Sequence, residues 1–152
     1  MSLSVFSDEH FMKLAYQEAQ KAFEMDEVPV GAVIVCDNQV IAKAHNMTEA
    51  LNDVTAHAEM QAFTMAANYL GGKFLNECTL YVTLEPCSMC AGAGYWTRLK
   101  KVVIAAKDDK RGFRSFNENM LHPKTELKWG VMEEQCSLLL KDFFGSKRND
   151  FK

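Results

Sequence analysis

The chain has 152 residues, 48% of them hydrophobic and 24% charged, the length of one domain with room for a sizeable core and the balance of an ordinary folded protein. No stretch reaches the roughly 18 apolar residues of a membrane span, and Met1-Ser2-Leu3-Ser4 lacks the basic-then-apolar order of an export signal, so a cytoplasmic protein without a membrane partner is expected. A net charge of −3, taken alone, argues against nucleic acid as a partner, and five cysteines, an odd number, fit a reducing compartment better than a disulfide framework.

Ser7-Asp8-Glu9 carries a helix-start signal, and Phe11, Leu14, Ala15, Ala19, Ala22 and Phe23 recur at helical spacing, predicting a helix to about Glu24. Val30 to Cys36 is a continuous apolar run, Asp37-Asn38 has turn chemistry, and Gln39 to Ala44 can return beside it as an antiparallel hairpin. The polar stretch from Asn46 to Thr55 is expected to be a loop leading to His57, after which a helix runs to about Tyr69 and stops at Gly71-Gly72. Thr79 to Leu84 reads as a buried strand, Cys87 to about Leu99 as a helix, and Val102 to Ala106 as a further strand. Residues 107–126 contain the breakers Gly112, Asn117, Asn119 and Pro123 and are expected to be irregular, with a last short strand from Lys128 to Val131. Cys136, Leu139, Leu140 and Phe143 mark a C-terminal helix, with Phe144, Lys147 and Arg148 near its end. Two successive strand-then-helix units imply parallel strands with helices on both faces. Residues 1–152 are therefore expected to form one three-layer α/β/α domain around a mixed sheet of about five strands.

The chemistry concentrates in two short motifs. His57-Ala58-Glu59 is followed, after 26 residues, by Pro86-Cys87-Ser88-Met89-Cys90. One imidazole and two thiolates fill three corners of a zinc tetrahedron and leave the fourth for water, the arrangement of a catalytic zinc rather than a closed structural one. Cys87 and Cys90 lie three apart, so a helix beginning at Pro86 or Cys87 sets both sulfurs on one face of its first turn, where the helix dipole favours thiolates. A spacing of two from His57 turns Glu59 to a different side of its helix start, so its carboxylate can stand beside the metal without binding it. A lone Cys-x-x-Cys is also the pattern of a redox pair or of half a four-cysteine site. Cys36, Cys78 and Cys136 stand singly, however, and neither reading uses His57 or Glu59. The combined spacing is the signature of zinc nucleobase deaminases.

Charge is unevenly spread. Residues 1–60 hold ten acids and three bases, whereas residues 61–152 hold ten acids and fourteen bases, seven of them between Arg98 and Arg114. A basic stretch directly after the zinc helix is placed to hold phosphates beside the site. Glu85 precedes the zinc motif without belonging to it and is read as structural, orienting the zinc-binding loop.

Glu27-Val28-Pro29-Val30-Gly31-Ala32, Asn46, Thr55-Ala56-His57-Ala58-Glu59, the run from Leu80 to Ala93, and Asp108, Lys110 and Gly112 together resemble the cytidine deaminase-like superfamily, and within it the bacterial tRNA-specific adenosine deaminases. The resemblance implies that adenosine is converted to inosine at the wobble position of a tRNA anticodon, most simply that of an arginine isoacceptor, with release of ammonia. It further implies one Zn²⁺ per subunit on His57, Cys87 and Cys90, proton shuttling by Glu59, and a purine-edge hydrogen bond from Asn46. Val28, Pro29 and Ala58 would contact the base. Lys107, Asp108, Lys110 and Arg111 would line the RNA on one side, and Phe144, Lys147 and Arg148 on the other, with Phe143 read as helix packing. The anticodon stem-loop is the implied partner, and a homodimer the implied assembly. Tyr95-Trp96 departs from this pattern toward guanine deaminases, and the loop from Phe113 to Pro123 is short for it. A guanine or other free-base or nucleoside deaminase with the same zinc chemistry is therefore the alternative. A non-catalytic RNA-binding protein of the same fold is a second alternative, but it has no use for Glu59.

Overall fold

The computed structural model describes residues 6–150, apart from the side chains of 148–150. Arg148, expected at an RNA surface, thus has its side chain outside the described residues. Helix α1 spans Asp8–Glu24, opened by Ser7, whose hydroxyl accepts the His10 N–H at 3.1 Å, with Asp8 and Glu9 at the positive end of the helix dipole. Strands β1 (Gly31–Cys36) and β2 (Gln39–His45) form the predicted hairpin. Its turn residues Asp37 and Asn38 both adopt positive φ, 53° and 60°, as a two-residue turn matched to strand twist requires. Then follow α2 (Ala58–Leu70), β3 (Cys78–Leu84), α3 (Ser88–Thr97), β4 (Lys101–Ala106), β5 (Glu126–Trp129) and α4 (Glu133–Asp150).

The five strands make one mixed sheet in the order β2-β1-β3-β4-β5, with β1 antiparallel to both neighbours and β3, β4 and β5 parallel. Alternation along the strands separates two buried layers. Ala32, Ile34, Leu80, Val82, Val102 and Ile104 pack on Ala58, Ala62, Phe63 and Ala66 of α2 and Ala91 of α3. Val33, Val35, Tyr81, Val103 and Ala105 face Phe11, Met12 and Ala15 of α1 and Cys136 of α4. This is the expected α/β/α sandwich. At its tightest point, a Cβ on Gly31 would lie 2.0 Å from the Ala15 carbonyl oxygen, so α1 approaches β1 as closely as only glycine permits.

Two boundaries differ from the sequence expectation. The last strand lies at Glu126–Trp129, two residues before the predicted run, because Gly130 (φ 88°) turns the chain out of the sheet after Trp129 has paired with Ile104. Helix α3 ends at Thr97 because Arg98 adopts the left-handed conformation (φ 60°), its N–H returning to the Tyr95 carbonyl at 3.2 Å. The segment expected to be irregular contains a short 3₁₀ turn, Phe113–Ser115. Among the described residues no helix is long and apolar enough to cross a membrane.

Candidate active site

His57 is the N-cap of α2 and Cys87 the N-cap of α3, and neither side chain caps its own helix. The imidazole and the thiol are therefore free to face each other across the start of two helices whose positive dipole ends converge. His57 Nδ1 lies 3.6 Å from Cys87 Sγ and 3.5 Å from Cys90 Sγ, and the three donor atoms fall within 4.8 Å of one another. The His57 main chain is held by its N–H to the Thr55 carbonyl at 2.8 Å, while Gln61 Nε2 ties α2 to the incoming loop through the His45 and Ala56 carbonyls at 2.7 and 3.1 Å.

The Cys87 thiol is drawn down to about 4, chiefly by the hydrogen bond from Cys90, against burial and with help from His57. Cys90 moves upward because it keeps the shared proton beside a thiolate in a buried position. His57 is raised, first by its hydrogen bond to Cys87 and against burial. One proton and one ring thus hold together two sulfurs that cannot both be anionic without a cation. A nitrogen and two sulfurs facing one point are the donor set zinc prefers, and these residues fit it.

Glu59 stands outside this trio. It is buried, and burial pushes its carboxyl up to about 7. Beside it opens a cavity of about 290 Å³ that His57, Cys87 and Glu59 share with Val28, Val30, Asn46, Thr48, Ala58, Leu84, Glu85, Asp108, Arg111 and Phe144. Asn46 Nδ2 donates to the Val28 carbonyl and its Oδ1 accepts the Thr48 N–H, both at 3.4 Å, long contacts that leave the amide able to turn toward a ligand. Of the other residues expected around the substrate, Pro29 is buried and does not line the cavity. Lys110 is exposed beyond it, and Lys107 extends over the Trp129 ring, 5.8 Å from its centroid. Phe143 packs edge-on against Phe23, whereas Phe144 reaches the cavity wall. Lys147 is engaged with Asp26. Tyr95 and Trp96 lie on the exposed face of α3, away from the cavity.

Two buried carboxylates shape the site from behind; sequence reasoning gave Glu27 no role of its own and read Glu85 as structural. Glu27 accepts the N–H groups of Glu49 and Ala50 at 3.0 and 2.7 Å and so fixes the loop that follows Asn46. Glu85 does not brace the zinc-binding loop so much as the segment across from it. It accepts the N–H groups of Asp108 and Arg114 and pairs with the Arg114 guanidinium at 3.0 and 2.7 Å. Gly112 lies against it, and a Cβ there would sit 2.2 Å from Glu85 Oε2. Asp108 Oδ1 in turn accepts the N–H groups of Lys110 and Arg111 at 3.2 and 3.0 Å, which sets Arg111 at the cavity rim. The available signal was an acid between the end of a largely buried strand and Pro86.

The MafB19-like deaminase family matches residues 6–148. A protein of Aquifex aeolicus named tRNA-specific adenosine deaminase is 46% identical over 147 residues, covering 93% of this chain and 97% of its own length. Among solved structures, one from work on A-to-I editing at the wobble position of transfer RNA superposes with a TM-score of 0.81 at 44% identity, covering 86% of this chain and 99% of the other. A guanine deaminase from Bacillus subtilis is 43% identical with a TM-score of 0.64, over 66% of this chain and 65% of its own.

Proposed function

The chain belongs to the tRNA-specific adenosine deaminases, and from that premise we infer that it hydrolyses the wobble adenosine of a tRNA anticodon to inosine and ammonia. The observation that carries the chemistry is the convergence of His57, Cys87 and Cys90 beside a buried Glu59 in a cavity of nucleobase size. His57 Nδ1 and the two sulfurs would hold one zinc ion, which when bound makes water nucleophilic near neutral pH. Glu59 takes one proton from the incoming water and passes it to N1 of the ring, then takes the second from the hydroxyl added at carbon 6 and hands it to the amine, which leaves as ammonia. A carboxyl that burial holds near neutrality can both accept and release a proton at working pH.

Asn46 orients the purine edge, while Val28, Val30, Leu84 and Phe144 supply apolar walls that exclude bulk water from the ring. Adenine must leave its stack to enter such a cavity, and an unpaired loop lowers that cost. Asp108 and Arg111 at the rim face the nucleotides on either side, with Lys107 and Lys110 in the same segment contributing charge. Phe144 and Arg148 take the opposite side, and Pro29 supports Val28 from behind. The whole chain serves as one deaminase domain, works in the cytoplasm as a homodimer, and takes an arginine isoacceptor as its tRNA.

Guanine deamination is the second reading, favoured by the likeness to the Bacillus subtilis enzyme. Tyr95 and Trp96, the residues that suggested it in sequence, do not line the cavity of their own chain. To test the proposal, zinc-loaded protein is incubated with an anticodon stem-loop carrying a wobble adenosine, and inosine is mapped by sequencing while ammonia is measured. One inosine at the wobble position with equimolar ammonia is expected; an unchanged stem-loop would overturn it.

A further inference from the structure

At the end of α3 opposite the candidate active site lies a second concavity of about 470 Å³. Three segments build it: Phe74 and Asn76 ahead of β3, Arg98, Leu99 and Lys100 between α3 and β4, and His122 and Lys124 ahead of β5. Backbone contacts lock these segments together. Leu75 N–H donates to the Thr97 carbonyl at 2.7 Å, Lys100 N–H to the Cys78 carbonyl at 3.0 Å, and the Thr125 hydroxyl to the Leu99 carbonyl at 2.6 Å. Arg98 occupies a left-handed position that glycine usually fills, and its guanidinium lies 4.5 Å from the centre of the exposed Phe74 ring. His122 accepts the Lys124 N–H on Nδ1 at 3.2 Å, so its other ring nitrogen is the one left to donate.

No carboxylate lines this concavity, and among the described residues Arg98, Lys100 and Lys124 enter no ion pair. Three uncompensated cations and an imidazole donor over an apolar Leu99 floor suit a phosphate ester, and the exposed Phe74 ring beside Arg98 offers a face on which a neighbouring base can stack. The ten residues of α3 span about 15 Å, so no single nucleoside reaches from this concavity to the cavity at the other end, whereas a folded RNA does. We propose that this pocket binds phosphate groups of the RNA backbone outside the reacting nucleotide, a second grip that anchors the stem while the loop enters the active site. The proposal rests on the tRNA reading.

The test compares wild type with the double variant Lys100→Ala/Lys124→Ala, and with Lys13→Ala/Lys43→Ala as a control on exposed lysines elsewhere. Binding of the anticodon stem-loop and of whole tRNA is measured across a salt series, and inosine is scored in the same samples. Loss of two phosphate contacts on the double-stranded stem should weaken binding about tenfold and make the slope of log Kd against log salt shallower by about 1.8, at roughly 0.9 per contact. The control should move neither. Equal slopes for wild type and the Lys100/Lys124 variant overturn the proposal, as does an absence of RNA binding. Inorganic phosphate titrated against the His122 ring resonances gives the remaining arm: saturation of the pocket by phosphate with an unchanged RNA slope assigns it to a free anion and overturns the RNA source. Wild-type protein that binds RNA but makes no inosine contradicts the deaminase reading alone, because the slope comparison still judges the pocket.

Discussion

Glu59 and its three neighbours divide the work of the site by position. His57, Cys87 and Cys90 converge because two helix starts meet, whereas Glu59, the second residue of its helix, is buried beside them with its carboxyl against Cys90 and outside the donor trio. Glu59→Gln keeps the shape and removes the shuttle, so inosine formation on the stem-loop should fall by about 10²–10⁴-fold while metal analysis still finds one zinc per chain. Cys90→Ala should instead lose the zinc. A variant of Glu59 that lost its metal would make that residue a ligand and contradict the assignment. These four residues were legible in sequence because metal chemistry imposes donor types and helix geometry imposes spacing. Asn46 and Thr48 were harder to read. Their place on the cavity wall depends on Glu27, which holds the loop by the Glu49 and Ala50 N–H groups 22 and 23 residues downstream of it, and no local pattern records that contact.

Helices and strands carry the site through a few buried ionic anchors. The Glu85 side chain is fully buried, and Arg114 supplies its counter-charge from 29 residues away. Arg114→Ala strands that carboxylate in the interior, a loss of about 3 kcal/mol, and thermal unfolding should shift down by about 10 °C in a chain of this size. An unchanged melting temperature would show that water replaces the guanidinium. On the other face, Asp8 at the start of α1 accepts from the Tyr81 hydroxyl at 2.8 Å and from Lys128 at 2.6 Å, with Lys101 at 3.5 Å. Burial works against its ionisation but is outweighed by Lys128, Tyr81 and Lys101 together, so its carboxyl lies below the ordinary value of 3.8. A depressed acid stabilises the fold above its unfolded pKa and loses that effect as pH falls through the folded one. The stability gap between wild type and Asp8→Asn, followed by urea melts across pH, should therefore be full above about pH 5 and close below the ordinary carboxylate range. A gap that widens on acidification would contradict this. The apolar strands and their order were readable from hydrophobic runs, but β5 was not placed correctly. Its alternation is short and half-exposed, and only pairing with β4 and the turn at Gly130 define its limits.

Across the whole molecule, acids gather in the first 60 residues and bases in the remainder, and the fold brings bases of the second part to two separate places. One borders the active-site cavity at Asp108 to Arg114, the other lies at the far end of α3. Such a layout suits a long polyanion better than a free base, which needs only the cavity. The three-layer architecture followed from the order of elements, because successive strand-then-helix units leave few ways to cover a sheet. The cavity did not, since its walls come from segments spread between Val28 and Phe144. Substrate choice is the central claim and is best tested by competition. Zinc-loaded protein is given the wobble-adenosine stem-loop and guanine in one mixture, and kcat/KM is measured for each. The account predicts that inosine forms in the stem-loop and that its kcat/KM exceeds that for guanine by about a thousandfold or more, a difference of roughly 4 kcal/mol in transition-state binding. Xanthine accumulating from guanine while the stem-loop stays intact would contradict it.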